Sequence, residues 1–382
     1  MQAIDERTRL QLFVHYGVAG NARQFQNVRL HFPELAEVYR LAKVKSRTAF
    51  SFLPDAAAAR LLRAAEDGFL DRYVRYLEEH NIGVCCHFDA DYPVVLREIH
   101  DAPPLLFYRG RLQAEPQLPI AMVGSRVCTQ YGRDIAQLFA HDLAAAGCTI
   151  VSGLAEGIDG CAARGALSCE ESPYSTVAVL GCGIDVVYPA SHRKLFDEIA
   201  ERGAVVTEFL PGTRPLRENF PVRNRIISGM ARGLVVVEAG ERSGTSITAG
   251  YALDQGREVF AVPGRITDRQ SVGTNRMIQR GEAKPVFCVD DILQEFQFEP
   301  VYDTFLSGPR RVPLSTLTQS ERAVCAALLQ GERSFDELAD ALSLPVGELN
   351  SLLTGLQFSN IIKPLSGRLY ALDAISTQLV DE

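Results

Sequence analysis

The chain has 382 residues, 47% of them hydrophobic, so two or three domains of roughly 100 to 200 residues are expected. Its formal net charge of −8 argues against an all-surface polycation, yet phosphate binding depends on charge within roughly 8 to 10 Å, so a local basic site stays open. There is no apolar run near the roughly 20 residues that span a bilayer, no apolar signal core behind M-Q-A-I-D-E-R-T-R, and no C-x-x-C pair among nine cysteines; a cytoplasmic protein of reduced, buried thiols with no membrane partner is expected.

Residues 1–85 read as a small helical N-terminal domain, clearest over Ala56–Glu79, without a clear helix-hairpin-helix signature. A proline-rich extended piece follows. Pro103 and Pro104 stop any helix, and L-L-F-Y after them supplies a strand. Six apolar, β-branched runs then alternate with helix-length segments: P-I-A-M-V-G-S, C-T-I-V-S-G-L, T-V-A-V-L-G-C, A-V-V-T-E, G-L-V-V-V-E-A and E-V-F-A-V-P-G. Buried strands joined by crossover helices mean an α/β fold with a doubly wound parallel sheet, placed over residues 86–298. Ligands of such sheets bind outside the carboxyl ends of the strands, so the site is expected on that edge.

The turns on that edge carry the candidate residues. The first run ends at Gly124, Ser125 and Arg126, where close backbone approach, a hydroxyl and a helix start suit an anion. The second ends S-G-L-A-E-G-I-D, and the amides of Ser152, Gly153, Leu154 and Ala155 would join the first turn in a composite anion pocket. The third ends L-G-C-G-I-D-V-V-Y-P, where Asp185 and Tyr188 read as residues that order the loop. Ahead of the fifth run, Arg214, Arg217, Arg223, Arg225 and Arg232 stand against one acid, Glu218, a local +4 in an acidic chain. Phe220 lies among them, and a ring beside positive charge is what single-stranded nucleic acid requires, stacking being worth about 1 to 3 kcal/mol per base. For Arg223 or Arg225 the alternative is a buried arginine paired with an acid such as Glu238. After the fifth run, Ser243, Gly244, Thr245 and Ser246 open another helix; with Thr248 these hydroxyls favour phosphate contact over capping alone.

Catalytic signatures are missing. The seven histidines lack H-E-x-x-H spacing, and neither G-x-S-x-G, a Walker loop nor G-x-G-x-x-G at the first turn occurs, so no cofactor, metal or enzymatic activity is expected.

A linker over residues 299–313 leads into residues 314–382. Helical patterns at Ser320–Leu329, Phe335–Ala341 and Val346–Leu356 precede a hairpin, I-I-K-P-L-S-G-R-L-Y-A-L, the outline of a winged-helix-like domain. From Val312 to Glu382 four basic residues face nine acids, the wrong sign for reading a DNA groove, which favours docking or regulation.

Taken in order, V-G-S-R, S-G-L-A-E-G-I-D, V-L-G-C-G-I-D-V-V-Y-P, N-F-P-V-R-N-R-I-I-S-G, E-A-G-E-R-S-G-T-S-I-T-A, G-R-E-V-F-A-V-P-G and G-T-N-R-M-I-Q-R-G resemble the motifs of the DNA-processing protein A family (DprA/Smf). The likeness covers roughly Asp89 to Leu293. It implies an extended Rossmann-like domain that binds single-stranded DNA, a homodimer, and loading of the RecA recombinase in natural transformation and recombination, by a mediator that is not an enzyme. It also implies a DNA pocket of Gly124, Ser125, Arg126, the turn Ser152 to Ala155, Arg217, Asn219, Phe220, Arg223, Asn224 and the turn Ser243 to Ser246. The dimer surface is implied near Met277 and Ile278, read as exposed apolar residues on a basic helix. Where the family shows A-A-H-x-G-A-L after the G-I-D helix start, this chain has C-A-A-R-G-A-L, which lacks the histidine and carries Arg164. A small-ligand alternative is the Rossmann-like phosphoribohydrolase of the LOG type, whose P-G-G-x-G-T-x-x-E signature is here A-G-E-R-S-G-T-S-I-T, with the acid lost.

Overall fold

The computed structural model describes residues 4–66, 68–241, 243–299, 310–329, 331–359, 361–365, 369–372 and 377–380. The chain divides into two compact units, Met1–Asp303 and Thr304–Glu382.

The first unit opens with five helices: α1 (Glu6–Gly17), α2 (Ala22–His31), α3 (Leu35–Lys43), α4 (Asp55–Ala64) and α5 (Phe69–Glu79). Asp5 starts α1 by accepting the Thr8 N–H, which satisfies one of the amides that have no partner inside a helix. Short amphipathic helices need a surface to cover. Here Leu12, Phe13, Phe50, Leu61 and Leu77 of this segment share one buried cluster with Phe107, Leu180 and Phe196 from beyond residue 85. The helices that the sequence sets apart as a domain are therefore continuous with one face of the sheet.

The sheet contains β1 (Gly83–Cys86), β2 (Leu105–Gly110), β3 (Leu118–Val123), β4 (Cys148–Ser152), β5 (Thr176–Val179), β6 (Ala204–Thr207), β7 (Gly233–Val236), β8 (Glu258–Ala261) and β9 (Lys284–Pro285). Its helices are α6 (Val94–Arg97), α7 (Gln130–Ala145), α8 (Ile158–Ser168), α9 (Arg193–Arg202), α10 (Asn219–Gly229), α11 (Thr245–Asp254), α12 (Val272–Gln279) and α13 (Asp290–Glu295). The strand order is β1-β2-β6-β5-β4-β3-β7-β8-β9. The six runs read from the sequence are β3 to β8, all parallel to their neighbours among themselves. The L-L-F-Y strand is β2; it runs antiparallel to β6 and carries β1 on its far side. Along β5, Val177 and Val179 enter one core with Ile226 and Ile227 of α10, while Ala178 enters the core shared with the N-terminal helices, the two-residue alternation of a strand buried on both faces. From β3 the chain winds outward to β6 and then returns to β7 on the other side of β3. That reversal places a crevice at the carboxyl ends of β3 and β7.

His15, near the end of α1, is fully buried, and neither ring nitrogen meets a partner in hydrogen-bonding geometry. Burial pushes its pKa down from 6.5 to about 4, an effect that the nearby Glu208 carbonyl only partly offsets. The unfolded ring therefore takes up a proton where the folded ring does not. Stability conferred by the neutral ring is full above the unfolded pKa and is expected to fall by about 3 kcal/mol as the pH drops from about 6.5 towards 4. Urea unfolding at pH 7 and pH 4.5 checks this: His15→Phe should lose less stability over the interval than the wild type, and an equal loss contradicts the assignment.

The second unit holds β10 (Arg310–Pro313), α14 (Gln319–Leu329), β11 (Arg333–Ser334), α15 (Phe335–Leu342), α16 (Val346–Phe358), β12 (Ile362–Leu365), β13 (Leu369–Leu372) and β14 (Thr377–Val380). β11, β13 and β12 form an antiparallel sheet, and β10 pairs in parallel with β14. Val324, Leu338, Leu349 and Leu353 make its core. Ser334 and Glu337 form a capping box at the start of α15. The linker read at 299–313 lies mostly outside the described residues, and the β10–β14 pair is absent from the sequence outline. Eight of the nine cysteines are buried and all are free; Cys288 is exposed, unlike the expected buried set. Among the described residues no helix is long and apolar enough to cross a membrane.

Candidate nucleic-acid interface

The crevice at the strand reversal is a cleft of about 920 Å³. It brings together Gly124, Ser125, Arg126, Ala155, Arg217, Phe220, Arg223, Asn224, Ser243, Gly244 and Thr245 from the sequence-read set. The remaining members do not line it. Ser152, Gly153 and Leu154 are buried, Asn219 is turned to the Arg214 carbonyl at 3.2 Å, and Ser246 is exposed beside it.

Backbone contacts hold the turns together. The Ser125 N–H donates to the Glu238 carbonyl at 2.8 Å, and the Ile158 N–H donates to the Ser125 carbonyl at 3.2 Å. Gly157 has φ +79°, and a Cβ there would lie 2.3 Å from the Ser125 carbonyl, so only glycine permits this approach. The buried Glu238 carboxylate accepts the Thr129 N–H at 2.9 Å and thereby fixes the start of α7, in place of pairing with an arginine. Several polar groups of the cleft are already engaged. The Ser125 hydroxyl donates to the Val127 carbonyl at 3.0 Å, and Ser243 Oγ accepts the Thr245 N–H at 3.2 Å. The cradle of amides and hydroxyls read from the sequence is thus partly used inside the protein.

The arginines divide in a way the sequence does not show. Arg223 is 3% exposed; its guanidinium donates to the Gly153 carbonyl at 2.8 Å and also to the Val179 carbonyl, tying the turns after β4 and β5 to α10. Burial lowers its pKa to about 10, with the Asp159 charge opposing. Burial likewise pushes the Asp159 carboxyl up, against the Arg223 charge and the Gly153 N–H, which donates to it at 3.1 Å. Arg225 makes a bidentate pair with Glu208 at 2.8 and 2.7 Å and reaches Asp101 at 2.8 Å, so its buried partner is Glu208 and not Glu238. Arg232 precedes β7 and stands at the opposite edge of the sheet. Among the described residues, the exposed positive charge lining the cleft therefore comes from Arg217 and, from another turn, Arg126.

A pair of rings lines the same cleft. Phe220 is half-buried, and the Arg126 guanidinium carbon sits over it, 5.0 Å from the ring centroid. Tyr188 lies 5.6 Å from Phe220, centroid to centroid, with the planes inclined at 47°. Sequence reasoning takes Tyr188 as a loop-ordering residue, but it is 42% exposed and lines the cleft. The available signal is its place in a turn on the same sheet edge. Asp185 does order that loop, accepting the Tyr76 hydroxyl and the Gly212 N–H, each at 2.8 Å. Arg164 is exposed, 3.4 Å from His192 Nε2, and does not line the cleft.

Helix α12 does not present the exposed apolar pair read for a dimer surface. Met277 is 6% exposed and belongs to the core, while its neighbour Ile278 is half-buried. Adjacent helical residues point about 100° apart, so one of the two turns inward. Among the described residues no group of three His, Cys, Asp or Glu side chains is placed to hold a metal ion.

Comparison with known proteins gives a consistent result. The family described as DNA recombination-mediator protein A matches residues 83–297, more than half of the chain. DNA processing protein DprA of Streptococcus pneumoniae is 45% identical over 214 residues, which are 55% of this chain and 73% of that protein. Protein Smf of Synechocystis is 32% identical over 331 residues, 78% of this chain and 82% of the relative. The solved structure of the S. pneumoniae protein aligns with 74% of this chain and 96% of its own at a TM-score of 0.61 and 34% identity. DNA processing protein A of Helicobacter pylori, whose structure concerns a single-stranded DNA binding mode, aligns with 56% of this chain and 95% of its own at a TM-score of 0.51 and 25% identity. The strand order, the cleft at its reversal and these likenesses agree: the chain belongs to the DNA recombination-mediator protein A family, and its role is that of a DNA-processing recombination mediator.

Proposed function

We propose that the cleft binds single-stranded DNA and that the protein, as a cytoplasmic homodimer, protects such strands and loads RecA onto them without catalysing a reaction. The observation that carries the strand-binding part is that exposed Arg126 and Arg217 and two rings, Phe220 and Tyr188, line one cleft. Guanidinium groups meet phosphates and rings meet base faces; both are features that every sequence offers. The H. pylori relative's single-stranded DNA binding supports the same reading, and membership of a family described as a DNA recombination mediator supports action beside a recombinase. Ile278 is the residue proposed for the dimer surface, with Met277 supporting it from the core.

Fluorescence anisotropy of a labelled single-stranded oligonucleotide, with unlabelled duplex and AMP as competitors, tests the proposal. Tight binding that weakens with salt and resists both competitors is expected. Displacement by AMP, or its hydrolysis, with weak oligonucleotide binding would make the cleft a small-molecule site.

A further inference from the structure

The two rings of the cleft are not equally available to a base. A Cβ built on Gly181 would lie 3.0, 3.2 and 3.5 Å from Cδ1, Cε1 and Cγ of Phe220. Three adjacent ring atoms at such similar distances are reached only from above the ring plane, since an approach from the edge would leave Cγ more than an ångström farther away than Cδ1. The backbone at Gly181 therefore backs one face of Phe220. Arg223, bonded to the Val179 carbonyl two residues before Gly181, has its guanidinium carbon over the ring, 5.8 Å from the centroid. The Arg126 guanidinium lies over the ring at 5.0 Å, within the range of a cation–π contact. Phe220 thus has backbone against one face and two guanidinium groups over its ring.

Tyr188 differs. It is 42% exposed, lines the same cleft, and meets Phe220 only as an inclined neighbour at 5.6 Å. Resting on the reading of the cleft as a single-strand site, we infer that Tyr188 is the ring on which a base stacks, and that Phe220 is a positioning residue which seats Arg126 for phosphate. The hydrophobic side of the site is then set by the turn after β5, and α10 supplies the support beneath the arginine.

The chain contains no tryptophan, so Tyr188→Trp and Phe220→Trp each create a sole reporter of base stacking. With the full-length protein, addition of an oligothymidine is expected to quench Tyr188→Trp emission strongly and Phe220→Trp emission weakly. An abasic oligonucleotide of equal length should leave both nearly unchanged. Strong quenching at position 220 with none at position 188 overturns the inference. Affinity supplies a second readout: Tyr188→Phe should bind like the wild type and Tyr188→Leu roughly tenfold more weakly. Equal affinity of the Phe and Leu variants would also overturn it. If the wild type binds no oligonucleotide at all, the single-strand reading itself fails, a result distinct from binding without stacking at Tyr188.

Discussion

Arg126→Ala is expected to lower affinity for single-stranded oligonucleotides by roughly ten- to a hundredfold, the range of one lost hydrogen-bonding contact to a charged group. The side chain is exposed and lies against Phe220 at the mouth of the cleft, where its charge is available to a phosphate. Phosphates are the same in every sequence, so the loss should be equal for oligothymidine and for mixed sequences. The slope of log affinity against log salt should also flatten, by about 0.7 for each phosphate contact removed. Titrations of two oligonucleotides at several salt concentrations measure both effects. A loss confined to one base composition would show that Arg126 reads bases. Lysine at this position keeps the charge but not the planar fork that lies over a ring, and should recover only part of the affinity.

Arg225→Ala is expected to destabilise the first unit by about 3 to 5 kcal/mol, seen as a lower urea midpoint. Glu208 is 3% exposed and its carboxyl is pushed up by burial, with Arg225 the opposing charge. Removing the arginine leaves that carboxylate buried and without its counter-charge. The same guanidinium holds Asp101, in the connection between β1 and β2, so three segments loosen together. Replacing the Arg225–Glu208 pair by methionine and leucine should recover much of the loss, because the main penalty is the unpaired charge. An unchanged midpoint for Arg225→Ala would mean that the pair is not a structural tie. Since α10 also carries Phe220, the Arg225→Ala variant should bind oligonucleotide weakly even at temperatures where it remains folded.

The parallel sheet was legible because β-branched apolar runs leave few alternatives to buried strands, and the small residues that end them mark the edge where a ligand fits. Burial of charge was not legible. Arg223 and Arg225 look like their exposed neighbours in sequence, and what decides their fate is carbonyls at Gly153 and Val179 and acids at Glu208 and Asp101, brought near only by the fold. The same holds for Met277 and Ile278, where one residue of an adjacent pair had to face the core. Tyr188 was missed because a tyrosine in a turn ordinarily packs, and only its exposure beside Phe220 shows otherwise. Amphipathic N-terminal helices were visible, but not the surface they cover.

That shared core bears on how the gene can be cut. The family match begins at residue 83, which invites a shortened protein starting there. Such a protein would leave Leu105, Phe107, Leu180 and Phe196 facing water where the five helices now lie. An exposed apolar surface of that kind promotes association between copies. Homology therefore marks the beginning of the recognisable sequence, and a protein cut there is expected to self-associate more than the full-length chain.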